Sequence, residues 1–159
     1  MKGIEVVFHT ARASDPNGDY KTLHSVNVTG TEAVIEAARQ HEVRGLVYTS
    51  SVSVVVDGND IHGGDETMPY ATSHLDHAAT TKCLAEKTVL EANGQLWNGH
   101  QLWTCALRPE MIFGPGDNHF VPQILDKVTP RALLLVCPAQ SVLMRVYVGC
   151  TDGCVCAVC

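Results

Sequence analysis

HLDHAATTKCLAEKTVLEANG, residues 74–94, decides how this chain is built. Its apolar side chains recur at three and four residues, the spacing that gathers them on one face of an α-helix. Leu84, Ala85, Thr88 and Val89 or Leu90 are expected to face inward, and Asn93-Gly94 supplies a left-handed stop. Short apolar runs of strand type flank it: GLVYTSS (residues 45–51) before, QLWTCALRP (residues 101–109) after. Strand, helix, strand at this separation predicts two parallel strands joined by a crossover.

The same alternation continues outward. GIEVVFHTA (residues 3–11) reads as a buried parallel strand, and Pro16 and Gly18 break the chain after it. Residues 20–41 are helical, with Leu23, Val26, Gly30, Val34 and Ala38 as the inward stripe. VDGNDIHGGDETMPY (residues 56–70) is a long polar loop, a length that often carries function. VPQILDKV (residues 121–128) is a short helix with Pro122 in its first turn. The expected fold is therefore α/β, a parallel sheet with right-handed crossovers over residues 1–128. From residue 129 the pattern is lost; strands at 133–137 and 142–148 are the only regular elements expected there.

With 45% hydrophobic and 18% charged residues, the 159-residue chain has the composition of one globular domain. A formal charge of −6 excludes a general nucleic-acid binder, which needs a basic face. The longest apolar stretch, ALLLVCPAQSVLMRVYVG (residues 132–149), is broken by Pro138, Gln140 and Arg145, so no membrane segment is expected. No signal sequence is read at the start, and an intracellular chain is expected. Five of seven cysteines crowd residues 137–159, and their odd number argues against a disulfide framework. CTDGCVCAVC (residues 150–159) lacks the paired spacing of structural zinc sites, so no metal is expected.

VVFHTA (6–11), VNVTGTEAVIEAA (26–38), LVYTSSVSVV (46–55), the 74–94 helix and TCALRPEMIFGPGD (104–117) stand in this order. Together they resemble the extended short-chain dehydrogenase/reductases, in the 3β-hydroxysteroid dehydrogenase branch that includes sterol-4α-carboxylate 3-dehydrogenases. The resemblance implies a Rossmann-type, doubly wound parallel sheet, NAD or NADP as cofactor, and a sterol or steroid alcohol as substrate. It places Lys82 at the lysine of a Tyr-x-x-x-Lys pair, which also holds the nicotinamide ribose. Ser51 falls at the serine that bonds the substrate oxygen, with Ser50 and Ser53 as alternatives. His9, Thr10 and Ala11 fall in a turn lining the cofactor, and Asn27 at a helix asparagine that supports the site. Arg108, Pro109, Ile112 and Phe113 fall beside the nicotinamide and substrate, although Arg108 reads equally well as half of an ion pair.

Two departures shape the functional expectation. No Gly-x-Gly-x-x-Gly occurs, so the chain reads as strands 4-5-6 of the family sheet without the N-terminal βαβ half that receives the pyrophosphate. Strand 4 then becomes an apolar edge, a route to self-association. The tyrosine position of AATTK (residues 78–82) is Ala78, and neither Tyr70, His74 nor His77 is well spaced to replace it. The expectation is an inactive, N-terminally truncated piece of a 3β-hydroxysteroid dehydrogenase-like enzyme with a divergent cysteine-rich tail at 129–159. The alternative is a non-catalytic remnant that binds a sterol or a protein. Full-length relatives would be cytoplasmic or associated with the endoplasmic reticulum.

Overall fold

The computed structural model describes residues 3–13, 15, 18–110, 112 and 147–149. Phe113, the expected 121–128 helix, the expected 133–137 strand, most of the 142–148 strand and the terminal cysteine cluster lie outside them. Three parallel strands form the frame: β1 (Val6–His9), β2 (Gly45–Thr49) and β5 (Trp103–Arg108). β6 (Tyr147–Gly149) adds to β5 antiparallel, giving the order β1-β2-β5-β6. Val7 pairs with Leu46 and Leu46 with Thr104, so the three strand ends share one edge of the sheet.

Two helical segments cover one face. The first runs from α1 (Tyr20–His24) through a π-helical turn (Ser25–Thr29) into α2 (Gly30–Gln40). The second is α3 (His77–Glu91). Their apolar sides meet Leu46, Tyr48 and Ala106 of the sheet in one core with Ile35, Ala38 and Val89. The strands alternate: Leu46 and Tyr48 of β2, and Thr104, Ala106 and Arg108 of β5, point into that core.

Four readings of the sequence are corrected. β1 is the apolar edge expected of strand 4, and the buried-strand reading of its composition gives way: Val6 and Phe8 are 46% and 71% exposed, and no helix among the described residues covers that face. Val26 and Leu84 are exposed, not inward. The first stripe is Leu23, Asn27, Thr31, Ile35 and Ala38, a frame of four helped by the wider π turn; apolar spacing alone had passed over two polar residues whose hydrogen bonds permit burial. His74, which the sequence reads as a surface residue near the helix start, is half-buried, and its Nε2 lies 3.2 Å from the Val54 carbonyl. The third strand starts at Trp103, not Gln101, after a small hairpin of β3 (Leu96–Trp97) and β4 (His100–Gln101). Asn98 and Gly99, both at positive φ, make its two-residue turn, a signal plainly present in the sequence.

Gly94 takes φ +70 after α3, the left-handed stop expected there. No helix among the described residues is long and apolar enough to cross a membrane.

Candidate active site

Asp76 starts α3: its extended backbone leaves the helix, and its carboxylate accepts the Ala79 N–H at 2.6 Å. Ala78 is therefore in the first turn and Lys82 one turn further on, on the buried side. Lys82 is only 4% exposed. Its Nζ donates to the Thr49 carbonyl at 2.8 Å, at the end of β2, and lies 4.7 Å from the centre of the Tyr48 ring. Burial pulls its pKa down to about 8; Arg12 pushes the same way and Glu86 opposes.

His9 ends β1 beside Tyr48, their ring centres 5.5 Å apart. Its Nε2 is 2.9 Å from Thr31 Oγ1, and that hydroxyl donates to the Asn27 carbonyl at 2.6 Å. The threonine proton is thus spent, which assigns the histidine N–H to Nε2. Burial, then the charge of Lys82, holds the His9 pKa below its usual value, so the ring is neutral at pH 7. Burial first and Glu86 second raise the Tyr48 phenol well above the ordinary range, which keeps it protonated.

Asn27 fastens the turn after β1. It accepts the Ala13 N–H at 2.8 Å and donates to the Ala13 carbonyl at 2.9 Å and to Thr81 Oγ1 at 3.0 Å. Thr81 passes its own proton to the Ala78 carbonyl at 3.0 Å. One buried amide thus joins the β1 turn, the π turn and the first turn of α3. Asn27→Ala is expected to cost about 3 kcal/mol, because three hydrogen bonds go and the Thr81 hydroxyl is left buried without its donor; urea unfolding measures it.

The loop after β2 presents the hydroxyls. Ser51 is half-buried, and its Oγ accepts Ser53 N–H at 3.2 Å and Ser53 O–H at 3.0 Å, leaving its own proton to donate. Ser50 is buried, and its Oγ has no hydrogen-bond partner among the described residues. The Ser50 N–H bonds Leu107 and the Val52 N–H bonds Pro109, so the ends of β2 and β5 are tied together. Thr10 and Ala11 lie exposed beyond β1, Pro109 is half-buried, and Ile112 is 59% exposed. The structure thus sets His9, Ser50, Ser51 and Lys82 at one sheet edge, with Thr10, Ala11 and Pro109 on its rim.

Arg108 takes the ion-pair place. Its Nε and a terminal nitrogen donate to Glu86 Oε1 at 2.9 and 2.7 Å, and Tyr70 O–H donates to the same oxygen at 3.0 Å. Glu86 is fully buried and Arg108 nearly so. Burial and Glu86 push the Tyr70 phenol up to about 12, too weak an acid for proton transfer near neutrality. The 56–70 loop walls a cavity of about 470 Å³, but none of the residues singled out from the sequence for catalysis or cofactor contact line it. Glu86, Thr81, Thr31 and Tyr48 escaped the sequence reading; a glutamate one turn beyond Lys82, on the face carrying Val89, was the available sign. Among the described residues no group of His, Cys, Asp and Glu is placed to hold a metal.

The model of the 3-beta hydroxysteroid dehydrogenase/isomerase family matches residues 1–158. A 3beta-hydroxysteroid-dehydrogenase/decarboxylase of Arabidopsis thaliana is 43% identical over 128 residues, 79% of this chain and 28% of the relative. The decarboxylating sterol-4-alpha-carboxylate 3-dehydrogenase of Mus musculus is 41% identical over 79% of this chain and 34% of its own. A 2-alkyl-3-oxoalkanoate reductase of Shewanella oneidensis is 37% identical over 93% of this chain and 39% of its own. The chain thus spans about a third of the length of these relatives. Among solved structures, MoeE5 in complex with UDP-glucuronic acid and NAD superposes with a TM-score of 0.63 at 27% identity, over 73% of this chain and 38% of that one. A short-chain dehydrogenase/reductase superfamily protein from Agrobacterium tumefaciens with bound NAD gives 0.56 at 25% identity, over 67% and 31%.

Proposed function

This chain belongs to the 3-beta hydroxysteroid dehydrogenase/isomerase family, and from that premise we propose that it carries the nicotinamide-side part of a site for oxidising a sterol 3-hydroxyl, without the proton carrier. The observation behind this is the pairing of a buried Lys82 at the end of β2 with a methyl group, Ala78, one turn away on the same helix.

Oxidising a secondary alcohol removes a hydride from carbon and a proton from oxygen. A bound NAD or NADP supplies the hydride acceptor. The residues present suit only its nicotinamide end: exposed Thr10 and Ala11 form an open rim, and Lys82 has N–H donors beyond the one given to Thr49. Among the described residues no glycine-rich turn offers the row of N–H groups that a pyrophosphate needs. Ser51 is the donor for the substrate oxygen. Lys82 is the charge that would lower the pKa of a neighbouring phenol, and Ala78 gives it none. Loss of a general acid/base costs about 10²- to 10⁴-fold in rate. Tyr70 is committed to Glu86, so it does not fill the gap.

The chain is therefore inactive in this reading. The test is purified protein incubated with a 4-carboxysterol and NAD or NADP. No reduced cofactor is expected; turnover that Lys82→Ala abolishes would overturn the reading. A second reading, a non-catalytic binding remnant, draws on the edge of β1, where Ile4, Val6 and Phe8 stand exposed. A discrete, stable dimer or partner complex by sedimentation favours this second reading, and aggregation favours the first.

A further inference from the structure

Lys82 and Glu86 are one helical turn apart on α3, and both are buried, at 4% and 0% exposure. A lysine taken out of water holds its charge only if an opposite charge or good acceptors compensate. Among the described residues, the one hydrogen bond from the Lys82 side chain goes to a neutral carbonyl, Thr49. The charged and titratable groups around it are easily named. Arg12 follows β1 and adds positive charge; His9 of β1 is neutral; Tyr48 of β2 is protonated. Cys83 on α3 is a thiol whose pKa burial raises. Glu86 supplies the negative charge; among the described residues its three hydrogen bonds all fall on Oε1, and the buried Oε2 has no donor.

We propose that Glu86 is a positioning residue for Lys82: its carboxylate, pinned by Arg108 and Tyr70, is the buried countercharge that keeps the ammonium in its place at the end of β2. Arg108 and Tyr70 then act at one remove. They fix the carboxylate so that it cannot swing onto Lys82 and form a closed pair, which would withdraw the ammonium from the sheet edge. The carboxylate acts through space, and the lysine keeps its donors for the edge. The proposal rests on reading Lys82 as the site lysine, yet its test does not need activity.

The ionisation of Lys82 is followed by NMR of its ε-methylene in the full chain, in Glu86→Gln, and in the double variant Glu86→Leu/Arg108→Met, which leaves no orphan charge. The apparent pKa is expected to fall by about one unit in both variants, and Glu86→Asp is expected to recover part of the shift. A Lys82 titration unchanged in the folded double variant overturns the proposal, whatever the activity assay shows. If Glu86→Gln does not fold, the double variant alone decides.

Discussion

Arg108→Met unfolds the chain in less denaturant, at an expected cost of about 3–5 kcal/mol, the range for leaving a buried charge without its partner. The reason is local. Glu86 is wholly buried, and two of its three hydrogen bonds come from the Arg108 guanidinium. The remaining bond, from Tyr70, is weaker than either. The double variant Glu86→Leu/Arg108→Met is expected to recover most of the loss, because an apolar pair of similar volume escapes the desolvation of both ions. Urea unfolding of the two single variants and the double gives the coupling. A double variant as unstable as Arg108→Met would mean that packing around Arg108, not its charge, carries the effect.

The second large effect is in the pH dependence of stability. Lys82 has a folded pKa of about 8 against 10.5 for a free lysine. Between those values the unfolded chain binds a proton that the folded chain does not, so stability rises with pH across the window. The full difference is worth about 3 kcal/mol. Below pH 8 the folded chain carries the whole penalty of a buried ammonium. Tyr48 and Tyr70 run the other way: their folded pKa values are raised, so they lower stability as pH climbs past about 10. The lysine contribution is isolated by comparison with Lys82→Met, whose curve is expected to lack the rise above pH 8. Parallel curves for the two proteins would refute it.

Much of this was legible from the residues. The order of strands and helices followed from the alternation of short apolar runs with 3.6-residue periodicity. Lys82, Ser51 and His9 were singled out because the resemblance to the family carries its motif onto these positions; the fold brings them to one sheet edge. Whether Arg108 faced the cofactor or an ion pair was open in the sequence. Its partner is 22 residues away on another element, and only the crossover brings them together. Asn27 was recognised but its job was not, since the Ala13 backbone and Thr81 meet it only after α3 packs against the π turn. The exposed face of β1 was misread for a related reason: an apolar run reports that a strand suits burial, not that anything covers it. The Asn98-Gly99 hairpin was a missed local signal, with no tertiary excuse.

Ala78 sits one helical turn from Lys82, where the lysine would act on a phenol that this helix does not carry. Spectrophotometric titration of Ala78→Tyr tests it without needing substrate or cofactor. One phenol is expected to ionise about two units or more below the ordinary tyrosine value of about 10, in the range where Lys82 still holds its proton, and to return to that value or above when Lys82→Met is added. An introduced phenol that titrates at about 10 or higher with Lys82 in place would contradict it.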